Sequence, residues 1–435
     1  MGKRTDCYYA DLHIHSRYSR ATSPECTPEG LGRWAQLKGV TVCGTGDCTH
    51  PRWMSELREK LRESPDAPGL YGLAAPFQSV ADEGVPGTCR RPVRFMVSGE
   101  ISSIYKRGGR CRKVHSVILL PSLEAAERLN VKLAAIGNIA SDGRPILGLD
   151  PRNLLELLLD TDPRAALIPA HIWTPWFSML GAQSGFDSQE ECFGELSPHI
   201  FAVETGLSSD APMNRRVRSL DNVVLVSNSD LHSPANLGRN ANVFFGAPGY
   251  DAMMGGLRAA DPAVCGGTVD LFPEEGKYHL DGHRSCGVCM EPEESLARGN
   301  ICPVCGKEVT VGVLHRVVEL ERQQAGRPRG APGQLPHQYI IPLSELLEQV
   351  LGVGPGSKKI PAAYQCLLAE HGGELPLLLD SDRDTLDALG EVGVCIRAVR
   401  EGRVTRQGGF DGQYGVIRAD VGNGNEAFGV RGEQG

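Results

Sequence analysis

"ADLHIHSRYSRATS", residues 10–23, sets two histidines on alternate positions directly after an apolar strand start, with Asp11 two residues ahead of the first. In an extended segment residues i and i+2 share a face, so His13 and His15 converge on one point while Leu12 and Ile14 face a core. Imidazoles aimed at one point can grip a metal ion. Two surface histidines at a strand end are the other reading of this stretch. The rest of the chain decides between them.

Up to about residue 265 the sequence repeats a strand-then-helix rhythm. The strand segments are "YADLHIH" (9–15), "GVTVCGTGD" (39–47), "RFMVSGEIS" (94–102), "HSVILLP" (115–121), "AALIPAHIW" (165–173), "FAVETG" (201–206) and "NVVLVSNSDLH" (222–232). Most are continuous Val/Ile/Leu runs, which suit a parallel sheet buried on both faces. Helical stretches separate them: 27–39, with Thr27 as cap and Pro28 in the first turn, then 122–137 and 150–160. Seven such units predict a closed or nearly closed α/β barrel.

Polar residues fall in a regular place. His13 and His15, Asp47 and His50, Glu100, His171, Glu204, Asp230 and His232 lie at or just after the C-terminal end of a strand segment. Barrel enzymes build their sites on that face. Only His115 precedes its apolar run.

At 435 residues the chain has room for two to four domains, and no uncharged apolar run reaches the length of about 18 residues that a membrane span needs. The start "MGKRTDCYYADLHIH" has no apolar segment of the kind that directs secretion, so a cytoplasmic, nucleoid-associated location and no membrane partner are expected. Fourteen cysteines in such a chain point to metal binding and buried thiols rather than disulfides. Four of them, Cys286, Cys289, Cys302 and Cys305, form C-x2-C, twelve residues, C-x2-C, the spacing of a closed structural zinc site. The net charge of −8 argues against general nucleic-acid coating but leaves room for a local basic channel, for which the arginines and lysines at 90–94, 106–113 and 215–218 are candidates. The expected organisation is a barrel domain over 1–265, a four-cysteine zinc module over 266–312 and a helical domain with a glycine-rich tail over 313–435.

Hydrolysis of a phosphodiester needs a nucleophile at neutral pH and neutralisation of charge on the phosphoryl group, and clustered divalent ions supply both. Several imidazoles and a bridging carboxylate are the inventory for holding them. No G-x-S-x-G elbow, G-x-x-x-x-G-K-[ST] loop or G-x-G-x-x-G fingerprint after a strand competes with that reading.

"DLHIHS", "GTGDCTHP", the isolated "SGEIS", the strand-borne His115 and His171, and "SNSDLHSP" together resemble the PHP (polymerase and histidinol phosphatase) superfamily over roughly residues 8–250. With the cysteine module and the helical C-terminal region added, the whole chain is similar to the endonuclease Q family. That resemblance implies a distorted seven-unit α/β barrel with two or three divalent ions (zinc, manganese or magnesium), beside one structural zinc. By position it implies His13, His15, Glu100 and Asp230 as ligands of one ion, Glu100 bridging to a second held by His115 and His171, and His232 with His50 on a third. Asp230, Glu100 and His171 would be the catalytic members. Asp47 is either a ligand or an orienting partner, and Asp11 is expected to orient an imidazole. Many superfamily members carry an acid or histidine where this sequence has Arg20, which leaves the third position short of a ligand.

The activity implied is nicking of DNA 5′ to deaminated bases (uracil, hypoxanthine, xanthine) or abasic sites by a monomer, with a sliding clamp as a further partner. For the damaged nucleotide, Trp173 and Trp176 are candidates to stack on a flipped base, and Ser208, Ser209, Arg215 and Arg216 to meet phosphates. A small-molecule phosphatase of the histidinol phosphate type and a non-catalytic DNA-binding scaffold are the alternatives. The extra C-terminal domains count against the first and the near-complete ligand set against the second.

Overall fold

The computed structural model describes residues 6–326, 328 and 335–422. Part of the Pro- and Gly-rich stretch at 323–336 and the last residues of the glycine-rich tail lie outside the described residues.

Seven strands form the ring: Cys7–Asp11, Val40–Gly44, Arg94–Arg107, Arg110–Leu120, Ala166–Pro169, Ala202–Glu204 and Val224–Val226. Cys7–Asp11 pairs in parallel with Val40–Gly44, which pairs in parallel with Arg94–Arg107. Ala202–Glu204 and Val224–Val226 are also parallel, and the Ile172 amide donates to the Glu204 carbonyl to join them to the strand before. The ring closes where Ile14 bridges Leu231 and the His15 amide donates to the Leu231 carbonyl at 3.2 Å.

The expectation of a parallel ring fails at one strand. Arg110–Leu120 runs antiparallel to both neighbours, because only Gly108 and Gly109, both at positive φ, separate it from Arg94–Arg107. A two-residue turn cannot return a chain to parallel pairing, which needs a crossover of a dozen residues or more. This reversal explains the misplaced histidine. In a reversed strand the first half, not the last, reaches the rim where the other strands end, so His115 arrives beside Glu100 although it precedes its apolar run.

Two layers of core hold the ring. Tyr8, Ala10, Leu12, Val42, Met96, Val117, Leu119, Ile168 and Val226 pack inside it, and the Tyr250–Ala259 helix covers the end away from the histidines, its Tyr250 hydroxyl donating to the Leu119 and Arg164 carbonyls. Helices cover the outside: Pro28–Lys38, capped by Thr27, whose hydroxyl accepts from the Gly30 amide, then Leu123–Ala134 and Pro151–Thr161, capped by Ser122 and Asp150.

The sheet runs past the ring. Ala241–Phe245 lies antiparallel to Cys7–Asp11, Cys265–Asp270 antiparallel to Ala241–Phe245, and His337–Tyr339 parallel to that. The division read at residue 265 therefore falls on the first residue of a strand in the barrel's own sheet. The five helices between Leu343 and Arg400 pack against the barrel's outer layer. There Lys38 and Glu374 form a buried pair at 2.5 Å, Tyr364 donates to the same carboxylate, and Tyr9 donates to Asp380. Among the described residues no helix is long and apolar enough to cross a membrane.

Candidate metal centre

At the rim His13, His15, Glu100 and Asp230 bring one donor atom each within 4.8 Å of one another. His15 Nε2 lies 3.1 Å from Asp230 and 3.2 Å from Glu100, and His13 Nε2 lies 3.5 Å from Glu100 and 3.6 Å from Asp230. Donors at about 2.1 Å around one tetrahedral ion stand about 3.4 Å apart, so this spacing fits a shared cation. His13 Nε2 is buried with no hydrogen-bond partner, which an ion would supply. The far side of each ring is held. His13 Nδ1 sits 3.0 Å from Glu204, and His15 Nδ1 sits 3.1 Å from Asp47. A carboxylate taking the Nδ1 proton leaves the Nε2 lone pair aimed at the cluster.

Glu100 belongs to a second group with His115 and His171. Its Oε1 lies 2.7 Å from His115 Nδ1 and 3.3 Å from His171 Nε2. Glu100 thus presents one oxygen to each group, the geometry of a bridging ligand. Burial pulls His115 down to about 4, so its ring is neutral at pH 7, as a ligand must be. Burial would also raise Glu100, but His115, Arg144 and His13 hold it well below the usual carboxylate range. For His13 and His15 burial opposes protonation, yet the surrounding carboxylates lift both well above the ordinary imidazole value, and a cation bound at Nε2 would take the place of that proton.

The backbone is bent to make these approaches. Asp47, His171 and Asp230 all adopt positive φ, a conformation of cost on the order of 1–3 kcal/mol that concentrates at functional sites. Gly206 has no room for a side chain, since a Cβ there would meet His171 Cβ at 2.6 Å.

Other expected ligands fall outside both groups. Asp47 faces His15, not the cluster centre; its oxygens accept from the Ser16 amide and hydroxyl and from Ser19, so it is an orienting partner. His50 caps the Pro51–Lys60 helix, its side chain accepting from the Trp53 amide while Nε2 meets the Ala140 carbonyl, and both ring nitrogens are spent. His232 lies beside His15, its ring tilted by 46°, with Nδ1 on the Asp230 carbonyl. Asp11 orients no imidazole; it accepts from the Ser229 and Gly238 amides. Sequence reasoning missed Arg144, whose guanidinium donates to Glu100 at 3.0 Å. It lies in a loop with no periodic signal.

In the cysteine module the donor set differs from the one expected. Cys286, Cys302 and Cys305 gather with His283, and Cys289 lies outside that group. The Asp281–His283 and Val288–Met290 strands pair Gly282 with Cys289 and His283 with Val288, so alternation points His283 and Cys289 to opposite faces. The spacing H-x2-C was legible at 283–286, but the two C-x2-C pairs concealed it.

The nucleic-acid candidates separate cleanly. Trp173 is buried and donates to Asn214, a core role. Ser209 is buried against the Thr205 carbonyl, Arg215 donates to the Leu220 and Val223 carbonyls, and Arg216 pairs with Glu321 of the Val313–Gln323 helix; all three are structural ties. Ser208 is half-buried. Trp176 is 42% exposed, edge-on to Tyr278, and Lys277 lies over both Tyr278 and Tyr414. Thr174 ties this loop to the site, its hydroxyl 3.2 Å from His171 Nδ1 and donating to the Trp176 carbonyl.

Residues 342–403 match the family model described as the MJ0043 C-terminal domain. The uncharacterized protein MJ0043 of Methanocaldococcus jannaschii is 30% identical over 256 residues, 56% of this chain; the chain spans only 31% of that relative's length. The uncharacterized protein YqxK of Bacillus subtilis is 27% identical over 430 residues, covering 94% of this chain and 99% of its own. Among solved structures, the lesion-specific endonuclease PfuEndoQ from Pyrococcus furiosus superposes with a TM-score of 0.80 at 28% identity, over 95% of each chain. Endonuclease Q bound to a 27-mer duplex with an abasic lesion at its active site gives 0.78 at the same identity, over 95% of this chain and 96% of its own. Over 95% of its length the chain is therefore similar to the solved endonuclease Q structures.

Proposed function

We propose that the chain is a metal-dependent DNA endonuclease that hydrolyses the phosphodiester on the 5′ side of a deaminated base or an abasic site. The observation that carries this reading is the pair of donor groups joined through Glu100 at the barrel rim. Divalent ions held there would acidify a water and neutralise the phosphoryl oxygens. His13, His15 and Asp230 would hold one ion and His115 and His171 the other. Glu204 and Asp47 fix the tautomers of His13 and His15, and Thr174 contacts the outer nitrogen of His171. These partners set the ligands before any substrate arrives.

DNA fits the surroundings better than a small phosphate ester does. The hairpin of Arg94–Arg107 and Arg110–Leu120 continues past His115 by on the order of 17 Å, and its tip exposes Lys106, Arg107 and Arg110. Cations at that reach suit a phosphate backbone. Trp176, Tyr278 and Tyr414 offer ring surface beside the His171 loop, where an extruded nucleotide or its vacated stack can be met. The duplex bound by the related endonuclease carries its abasic lesion at the active site, which supports the same substrate class here.

The test is incubation of the purified protein and Mn2+ or Mg2+ with end-labelled duplexes carrying uracil, hypoxanthine, xanthine, an abasic site or no lesion, beside histidinol phosphate. Nicks 5′ to the lesion and an intact control are expected. Phosphate release from the small ester without nicking would replace this reading with the phosphatase one.

A further inference from the structure

Phe177 is a bulky residue at positive φ, a backbone state that persists only where the surroundings over-determine it. Its ring lies 4.9 Å from that of His115, and its carbonyl accepts from the His115 amide. Its own amide donates to the Ser184 hydroxyl, which donates in turn to the Lys113 carbonyl. Trp176 leaves the same turn with its ring edge-on to Tyr278. The loop 174–187 thus places both the ring against His115 and the exposed ring beside it.

The rear of this loop is held from outside the barrel. Arg316, in the Val313–Gln323 helix, is buried; its Nε donates to the Leu180 carbonyl at 3.0 Å, and a terminal nitrogen donates to the Phe186 carbonyl at 3.2 Å. The same nitrogen reaches Asp187, and the other pairs with Glu319 at 2.7 Å. A guanidinium offers its donors in a fixed plane, so the two buried carbonyls are locked at a set separation. Taking those donors away leaves the carbonyls unpaired, which the loop can relieve only by moving.

The helix that carries Arg316 starts from the cysteine module. Asp281 is fully buried and opens the Asp281–His283 strand; its carboxylate accepts from the amide of Gly312, the residue that caps the helix, and meets His315 Nδ1 at 2.5 Å. Beside it Gly282 and Thr310 exchange amide-to-carbonyl bonds. His283, at the other end of the same strand, belongs to the module's donor group. One short strand therefore carries a metal donor and the carboxylate that fixes the first turn of the Arg316 helix.

We propose that Arg316 is a positioning residue that ties the Trp176 loop to the cysteine module, so that an intact module sets where the rim presents its exposed ring to DNA. The DNA part rests on the endonuclease reading; the tie between module and loop does not. Arg316 acts on the loop and not on the barrel ions, so a small ester should be blind to it.

Acrylamide quenching of Trp176, taken as the difference between each protein and its Trp176→Phe counterpart, reads the loop directly. Arg316→Met keeps the apolar stem and removes the donors, and it should raise that quenching about twofold or more, with partial recovery in Arg316→Lys. Cys302→Ser should raise it in the wild-type background and add nothing in Arg316→Met, since a coupling carried by one residue is lost with it. In turnover, Arg316→Met should raise KM for a lesion duplex about tenfold or more while kcat for bis(p-nitrophenyl) phosphate stays within about twofold. Wild-type quenching in Arg316→Met, or equal losses on both substrates, would overturn the positioning role. An additive response to Cys302→Ser would overturn the tie to the module. If the wild-type protein hydrolyses the ester but cuts no lesion duplex, the endonuclease reading fails, and the quenching measurements still decide this one.

Discussion

The barrel rim and the cysteine module both gather metal-type donors, but they are built in opposite ways. At the rim the two histidines of the first donor group are anchored by protein: Glu204 holds His13 and Asp47 holds His15, and the strands beneath pack through Leu12, Val42, Met96 and Val117. The module has a core of three buried residues, Met290, Cys302 and Val309, and one of those is itself a donor. A site held by its own core keeps its shape without an ion. A site whose core is the ion's ligand shell folds with the metal, because binding free energy there is folding free energy. On the proposed reading the barrel would use metal for chemistry and the module would use it for structure.

The largest expected effect lies in the chemistry. Asp230→Asn removes a ligand at the centre of the first donor group, so cleavage should fall by about 10³-fold or more while lesion DNA is still bound. The melting temperature should fall modestly, since against its burial His13 and His15 hold this carboxylate below the usual carboxylate range and Asn forfeits that attraction, but the protein should remain folded. Near-normal nicking with excess metal would break the cluster assignment.

The module answers differently. Cys302→Ser should release its zinc, open the segment around 281–309 to protease and weaken DNA affinity, with bis(p-nitrophenyl) phosphate hydrolysis at the barrel retained. Cys289→Ser sharpens the test. With His283 completing the set, that variant should keep its zinc, and equal loss in both variants would restore the four-cysteine site.

Trp176 lies where the two regions meet, its ring edge-on to Tyr278. Trp176→Ala should lower cleavage of duplex more than of single-stranded substrate, within the ~1–3 kcal/mol that base stacking is worth, and leave the ion count unchanged. Equal losses on both substrates would assign the ring to packing.

A smaller effect concerns protons. Burial, with Glu345 nearby, pushes the Glu275 carboxyl up to about 8. The folded state thus binds a proton that the unfolded chain, with its ordinary carboxyl, releases, and stability falls as pH rises from about 4.5 to 8. Glu275→Gln removes that cost. Its melting temperature should exceed wild type by roughly 2 °C or more at pH 8.5 and match it at pH 5. The gain should be the same after chelation, and a gain at both pH values would refute the buried-acid account.

The ring was legible because its strands are continuous apolar runs ending in polar residues, and His13, His15, Glu100, His171 and Asp230 stood out by that placement. Direction was not, since periodicity is blind to it; Gly108–Gly109 held the information that Arg110–Leu120 turns back. Spacing also cannot say whether a carboxylate faces an ion or an imidazole, which is why Asp47 reads like a ligand and acts as an orienter. Trp173 and Trp176 looked equivalent in sequence, and only packing separated a core ring from an exposed one. Arg144 had no local signal because its position beside Glu100 is set by a loop crossing the rim.

The most direct test is the metal content of Glu100→Gln, measured by mass spectrometry after desalting from Mn2+. Glu100 is shared by both donor groups, so both barrel ions should be lost together while the zinc of the cysteine module remains at one per chain and the protein stays folded. Retention of either barrel ion at wild-type occupancy would contradict the bridged site on which this account of the chemistry rests.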